Sequence, residues 1–344
     1  MPDSSTFLLD GRLERARLSP LLSAIIGLIT AFLLFQGIST VVLIVLAMGR
    51  GVDLASLLDP QGLPQFLEAN ADIVILSNTV GQIFGLLIPG LIFARLHSST
   101  WKPFLRLRTV RWQFLLLSVV GLLALIPVVQ WTGTLFDSLP WPQWIRDLEE
   151  GQMELIEKVL TQDFSLLFTI SMLALTPAIC EEILFRGYVQ RQAERRLGIW
   201  GGIIFSGVIF GLYHLRVTQA VPLSLLGIFM AYLTWRTRSL WPAILVHLAN
   251  NSFAAILGKV ASKETSSVDL ETFEFPTTIL LLSAIVLAGT MWTMHKGSAH
   301  WLDEESTDAG DGAHGDTPGE NASDAGTTEI GKQTPDDEGG GYES

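Results

Sequence analysis

Charge is scarce in this chain: 16% of its 344 residues are Asp, Glu, Lys or Arg, against 49% that are hydrophobic. That balance is too apolar for an ordinary soluble enzyme. Cysteine is nearly absent, and Cys180 standing alone excludes an internal disulfide and a CxxC metal knuckle. A basic excess is lacking as well. The net charge of −12 sits entirely in residues 302–344, where thirteen Asp or Glu face one Lys. Residues 1–301 are therefore neutral and present no basic face, so nucleic acid is not an expected partner.

What the chain has instead is long apolar runs, at about 21–48, 73–94, 112–131, 164–194, 198–215, 220–236, 240–257 and 276–294. Crossing the hydrocarbon takes roughly 20 apolar residues as a helix. Only helices and closed barrels satisfy the backbone there, and these runs are continuous rather than alternating. The expected fold is an all-α, polytopic membrane bundle of about eight transmembrane helices. The first run is long, follows Arg12, Arg15 and Arg17 and lacks a small-x-small exit, so it reads as an anchor rather than a cleaved leader. Fifteen Lys or Arg fall in the loops on the side of the N-terminus and six in those on the other side. This excess puts both termini in the cytoplasm of a multi-pass cell-membrane protein.

The chain then divides into a cytoplasmic segment 1–20, helices and an external loop over 21–160, a polar-bearing core 161–258, a loop and last span 259–301, and a tail 302–344. The external loop, 132–163, carries Trp141, Trp144 and an acidic stretch from Asp147 to Glu157, as an interfacial amphipathic segment would. The tail is too poor in apolar residues to fold and is expected to be disordered.

Ionisable groups inside spans are costly and mark function or a paired network. In the fourth run Glu181 and Glu182 sit together, with Arg186 four residues after Glu182. Glu182 and Arg186 share a helical face and can pair, which leaves Glu181, about 100° away, as the free carboxylate. His214 ends the fifth run, four residues after Phe210, and the seventh carries His247 and Asn251 at i and i+4. If the fourth run continues as helix to Arg196 and reverses at Leu197 and the helix-ending Gly198, Glu181 and His214 are equidistant from the bend. With a protrusion of about 9 Å over Arg191 to Arg196, both lie about 16 Å deep, while His247 and Asn251 lie at about 13 and 19 Å. Four polar groups then converge near mid-membrane.

A carboxylate beside an imidazole can activate water, and a second His with an Asn can donate to an oxyanion on a carbonyl. The same Glu and two His could instead hold zinc, although no HExxH pair is present. Hydrolysis without metal is the preferred reading. An ion-coupled transporter and a non-catalytic scaffold or immunity protein are the alternatives, the first weakened by the lack of an internal repeat.

The order EExxxR, FxxxH and HxxxN, here Glu181 to Arg186, Phe210 to His214 and His247 to Asn251, resembles the CPBP intramembrane proteases, which include the type II CAAX prenyl endopeptidases. The resemblance covers about residues 165–257. It implies an eight-helix fold with a cytoplasm-accessible cavity, and an endopeptidase acting on a membrane-associated protein or peptide. In it the residue matching Glu181 activates water with help from the one matching His214. Those matching His247 and Asn251 form the oxyanion hole, and those matching Glu182 and Arg186 support the site.

Overall fold

Long apolar runs satisfy their own backbone as helices, and helix is the regular structure that the described residues adopt. A computed structural model of the chain describes residues 7–53, 62–261 and 275–312. In chain order the helices are α1 (Arg12–Arg15), α2 (Pro20–Gly49), α3 (Leu63–Ala69), α4 (Ala71–His97), α5 (Trp101–Phe104), α6 (Trp112–Asp137) and α7 (Gln143–Thr161). The 48-residue stretch Leu166–Tyr213 follows as two arms, α8 (166–197) and α9 (199–213), and then α10 (Ala220–Thr237), α11 (Trp241–Ala261) and α12 (Thr277–Gly312).

Among the described residues six helical stretches are long and apolar enough to cross a membrane: α2, α4, α6, the α8–α9 stretch, α11 and the Thr277–Trp301 part of α12. Their outward side chains are apolar, with Leu33, Val45, Leu123 and Ile285 all exposed, so the bundle presents hydrocarbon to its surroundings. The molecule is a multi-pass membrane protein.

The chain forms two units, Met1–His300 and Trp301–Ser344. In the second, helix continues to Gly312, past residue 302 where the unstructured tail is expected to begin. Extending an existing helix avoids the cost of nucleation, which even a polar sequence can exploit. The rest of the tail lies outside the described residues.

The reversal expected at Leu197 and Gly198 is present. Gly198 has φ 75° and ψ 174°, a left-handed φ that glycine enters without a Cβ penalty. The arms then run side by side: a Cβ on Gly202 would lie 2.5 Å from Glu194 Cγ, and the Ser206 hydroxyl donates to the Phe185 carbonyl at 3.1 Å. Between α9 and α10 the main chains touch, since a Cβ on Gly227 would fall 2.7 Å from the Gly207 carbonyl oxygen. Small residues permit such close approach in membranes.

The stretch 191–194, just before the reversal, is sheathed in protein. Arg191, Gln192 and Glu194 are buried. Arg106 forms a two-point ion pair with Glu194, Gln190 donates to Glu194 at 2.8 Å, and Arg191 Nε donates to the Phe104 carbonyl at 3.1 Å. The N-terminal segment forms part of the sheath. Phe7 packs edge-on against Phe104, Gly11 N donates to the His97 carbonyl at 3.0 Å, and Glu14 accepts two bonds from Arg195, at 2.6 and 2.9 Å, while lying 2.7 Å from His97 Nδ1. The far side of the buried His97 ring meets the Ser23 hydroxyl at 2.7 Å, itself 2.8 Å from the Tyr188 hydroxyl.

Candidate active site

The polar core is built on α8, and its backbone explains how. Two π turns, Ser171–Leu175 and Ile183–Val189, flank the segment Thr176–Glu182. Wider turns of this kind shift the helical phase and recur at functional sites. Pro177 accounts for part of the irregularity: it has no N–H to give to the carbonyl four residues back, that of Leu173. That carbonyl instead lies 3.5 Å from Asn251 Nδ2 on α11. The proline that disturbs α8 thus exposes an acceptor that orients one of the residues singled out by the sequence.

Glu182 and Arg186 form the expected pair. Both are wholly buried, with Arg186 Nη1 2.9 Å from Glu182 Oε1, and Arg186 Nη2 also donates to the Gly227 carbonyl at 3.2 Å. A buried ion pair needs such extra bonds to offset its lost hydration. The same Glu182 oxygen lies 2.9 Å from His247 Nδ1, which leaves Nε2 as the ring nitrogen for other business. Nε2 stands 3.9 Å from Glu181 Oε2. That carboxylate oxygen is buried and has no hydrogen-bond partner among the described residues, as is also true of Glu182 Oε2.

Phe210 gathers these groups. Its ring meets His214 at 4.8 Å, His247 at 5.6 Å and Phe185 at 5.4 Å between centroids, each edge-on, and carries the Arg186 guanidinium on its face at 4.3 Å. Phe185 and Phe210 face each other across the hairpin, and Glu181 and His214 lie four residues further along their respective arms. His214 ends α9, exposed, with Nδ1 2.8 Å from the Phe210 carbonyl. Donation to that carbonyl fixes the proton on Nδ1 and leaves Nε2 as acceptor. Arg186, His247 and His214 are therefore gathered by one aromatic ring, Glu182 joins them through the buried ion pair, and Glu181 stands beside His247. Asn251 is partly buried and is joined to the cluster through the Leu173 carbonyl of α8 rather than through the two histidines.

Two neighbours did not stand out in the sequence. Tyr213 packs edge-on against Phe185 at 5.1 Å and Phe32 at 5.4 Å, and its buried hydroxyl has no hydrogen-bond partner among the described residues. Glu149 on α7 reaches the turn just beyond His214. Tyr213 is adjacent in sequence to a motif residue, a weak signal at best, and Glu149 had only its place in an acidic stretch.

Whether this set suits zinc is a matter of donors. Among the described residues no three His, Cys, Asp or Glu side chains are grouped to hold a metal ion, although Nε2 of His214 and of His247, whose Nδ1 atoms are engaged, is the nitrogen a metal would take. By their grouping, the described residues do not supply a three-ligand zinc site.

With this geometry in hand, the comparisons with known proteins are specific. Residues 163–253 match the family described as type II CAAX prenyl endopeptidase Rce1-like. A 79-residue stretch is 30% identical to the Bacillus subtilis protein named "Putative membrane peptidase YdiL", covering 23% of this chain and 32% of that protein. The chain thus spans about a third of the length of this curated relative. No solved structure matches. The matched residues contain every member of the polar cluster, and over them the chain is similar to the Rce1-like family of type II CAAX prenyl endopeptidases.

Proposed function

We propose that the chain is an intramembrane endopeptidase that hydrolyses a peptide bond of a membrane-associated protein or peptide. The observation that carries this reading is Glu181 Oε2, a buried carboxylate oxygen without a donor among the described residues, 3.9 Å from His247 Nε2. An orphaned buried acceptor is costly unless a donor reaches it, and a nucleophilic water is such a donor. In this reading Glu181 takes the proton from water, and His214, with its free Nε2 on the exposed side of the cluster, assists as the second acid–base group. His247, held through Nδ1 by Glu182, and Asn251 steady the oxyanion that forms on the scissile carbonyl. Glu182 and Arg186 hold His247 in place. No step is routed through a metal.

The same reading takes the bundle as eight-spanning, with α8, α9 and α10 each crossing most of the membrane and both termini in the cytoplasm, where the excess of Lys and Arg puts them. The substrate would be a peptide brought to the cluster from the bilayer.

The test is cleavage of a membrane-anchored peptide reporter by the full chain in proteoliposomes. Glu181→Gln and His214→Ala should each lower kcat by about 10²- to 10⁴-fold with insertion and Tm retained. Full activity in either variant would refute the assignment of that residue. Solute flux that Glu181→Gln abolishes, without any cleavage, would favour a transporter.

A further inference from the structure

Glu149 lies on α7, outside all three motifs, yet it is among the buried charged residues at 6% exposure. Its Oε1 accepts the backbone N–H groups of Val217 and Thr218, the latter at 3.1 Å, and its Oε2 accepts the Thr218 hydroxyl. These two amides belong to the turn that joins α9 to α10, where no helical carbonyl is available to them. Three donors converging on one buried carboxylate make a strong, directional clamp.

The clamped turn begins at the site. His214 is the cap residue of α9, and the next residue, Leu215, has φ 55°. Leucine disfavours that left-handed conformation, which persists only where the surroundings enforce it. The Leu215 amide bonds back to the Leu212 carbonyl at 3.1 Å, so the chain reverses immediately after the histidine. Two residues later it is held by Glu149.

We propose that Glu149 is a positioning residue for His214. By gripping Val217 and Thr218 from the external helix, it enforces the reversal at Leu215 and so sets the height and direction of the imidazole. This inference rests on the reading of His214 as a working acid–base group.

The experiment measures kcat and KM separately for the reporter in proteoliposomes with the full chain. Glu149→Ala should lower kcat by about ten- to a hundredfold, the usual cost of losing an orienting partner of an active group, with KM changed less than about twofold. Glu149→Gln keeps an oxygen for the two amides and should restore kcat to within about threefold of the parent. Unchanged kcat in Glu149→Ala, a rise in KM alone, or a Gln variant as poor as Ala would each overturn the proposal. Should Glu149→Ala fail to insert, Thr218→Val decides, because it removes one of the three bonds: a two- to fivefold fall in kcat is expected, and no change would overturn it. His214→Ala, measured in parallel, separates the two ideas. An active His214→Ala enzyme sinks the functional reading itself, whereas an inactive one beside a fully active Glu149→Ala enzyme sinks only the clamp.

Discussion

The guanidinium of Arg186 lies on the face of the Phe210 ring, 4.3 Å from its centroid, although the two residues sit on opposite arms of a hairpin. A desolvated cation over an aromatic face gains on the order of 2 kcal/mol. The contact ties the arm that carries the glutamates to the arm that ends at His214.

Phe210→Ala should therefore cost more than an ordinary core truncation. Removing a buried phenylalanine costs about 3–5 kcal/mol, and here it also strips Arg186, His214 and His247 of a shared neighbour. Thermal unfolding in detergent is expected to show a loss at or above that range, with cleavage of the reporter abolished. Phe210→Leu, which fills most of the volume, should recover much of the Tm and little of the activity. Equal recovery of both would show that the ring acts only as filler.

The Glu182–Arg186 pair gives a second, separable outcome. Glu182→Gln or Arg186→Met alone leaves an uncompensated buried charge and should cost about 3–5 kcal/mol. The double variant removes both charges and should regain most of the stability. It should not regain catalysis, because His247 Nδ1 loses the anionic partner now 2.9 Å away. A double-mutant cycle on Tm, run beside kcat, reads the two effects independently.

Glu14 supplies a pH dependence. Burial pushes its carboxyl up, but the hydrogen bonds from Arg195 and His97 outweigh that, and the net position is below the ordinary glutamate value near 4.5. A depressed carboxylate contributes stability that is complete above its unfolded value and is lost as the pH falls through its folded one. The parent should be more stable than Glu14→Gln by a margin that shrinks as the pH is taken from about 4.5 downward. Unfolding temperatures across that range check it, and a margin that grows toward acid would contradict the linkage.

Much of the site could be read in advance because ionisable residues are conspicuous against an apolar background. Glu181, Glu182, Arg186, His214 and His247 each break an otherwise apolar run, and Gly198 marks the reversal between the two arms. Position along a helix fixes depth well and rotation poorly, and two wide turns in α8 change the rotation in a way no spacing rule anticipates. This is why the reversal at Gly198 was legible while the central place of the Phe210 ring was not. The polar sheath around Glu14, His97 and Arg195 was hidden for another reason. Its members are far apart in sequence, 181 positions between Glu14 and Arg195, and each looks like an ordinary loop charge until the chain folds. Glu149 is the same case, distinguished from its acidic neighbours only by the amides it meets.

Main chain against main chain at Gly207 and Gly227 leaves α9 and α10 no side-chain layer to slide on. Any loosening that admits a substrate from the bilayer would then carry these two helices, and His214 with them, as a single rod. The moving parts would be found in the proline-broken half of α8 and in α11, whose Asn251 amide reaches the Leu173 carbonyl.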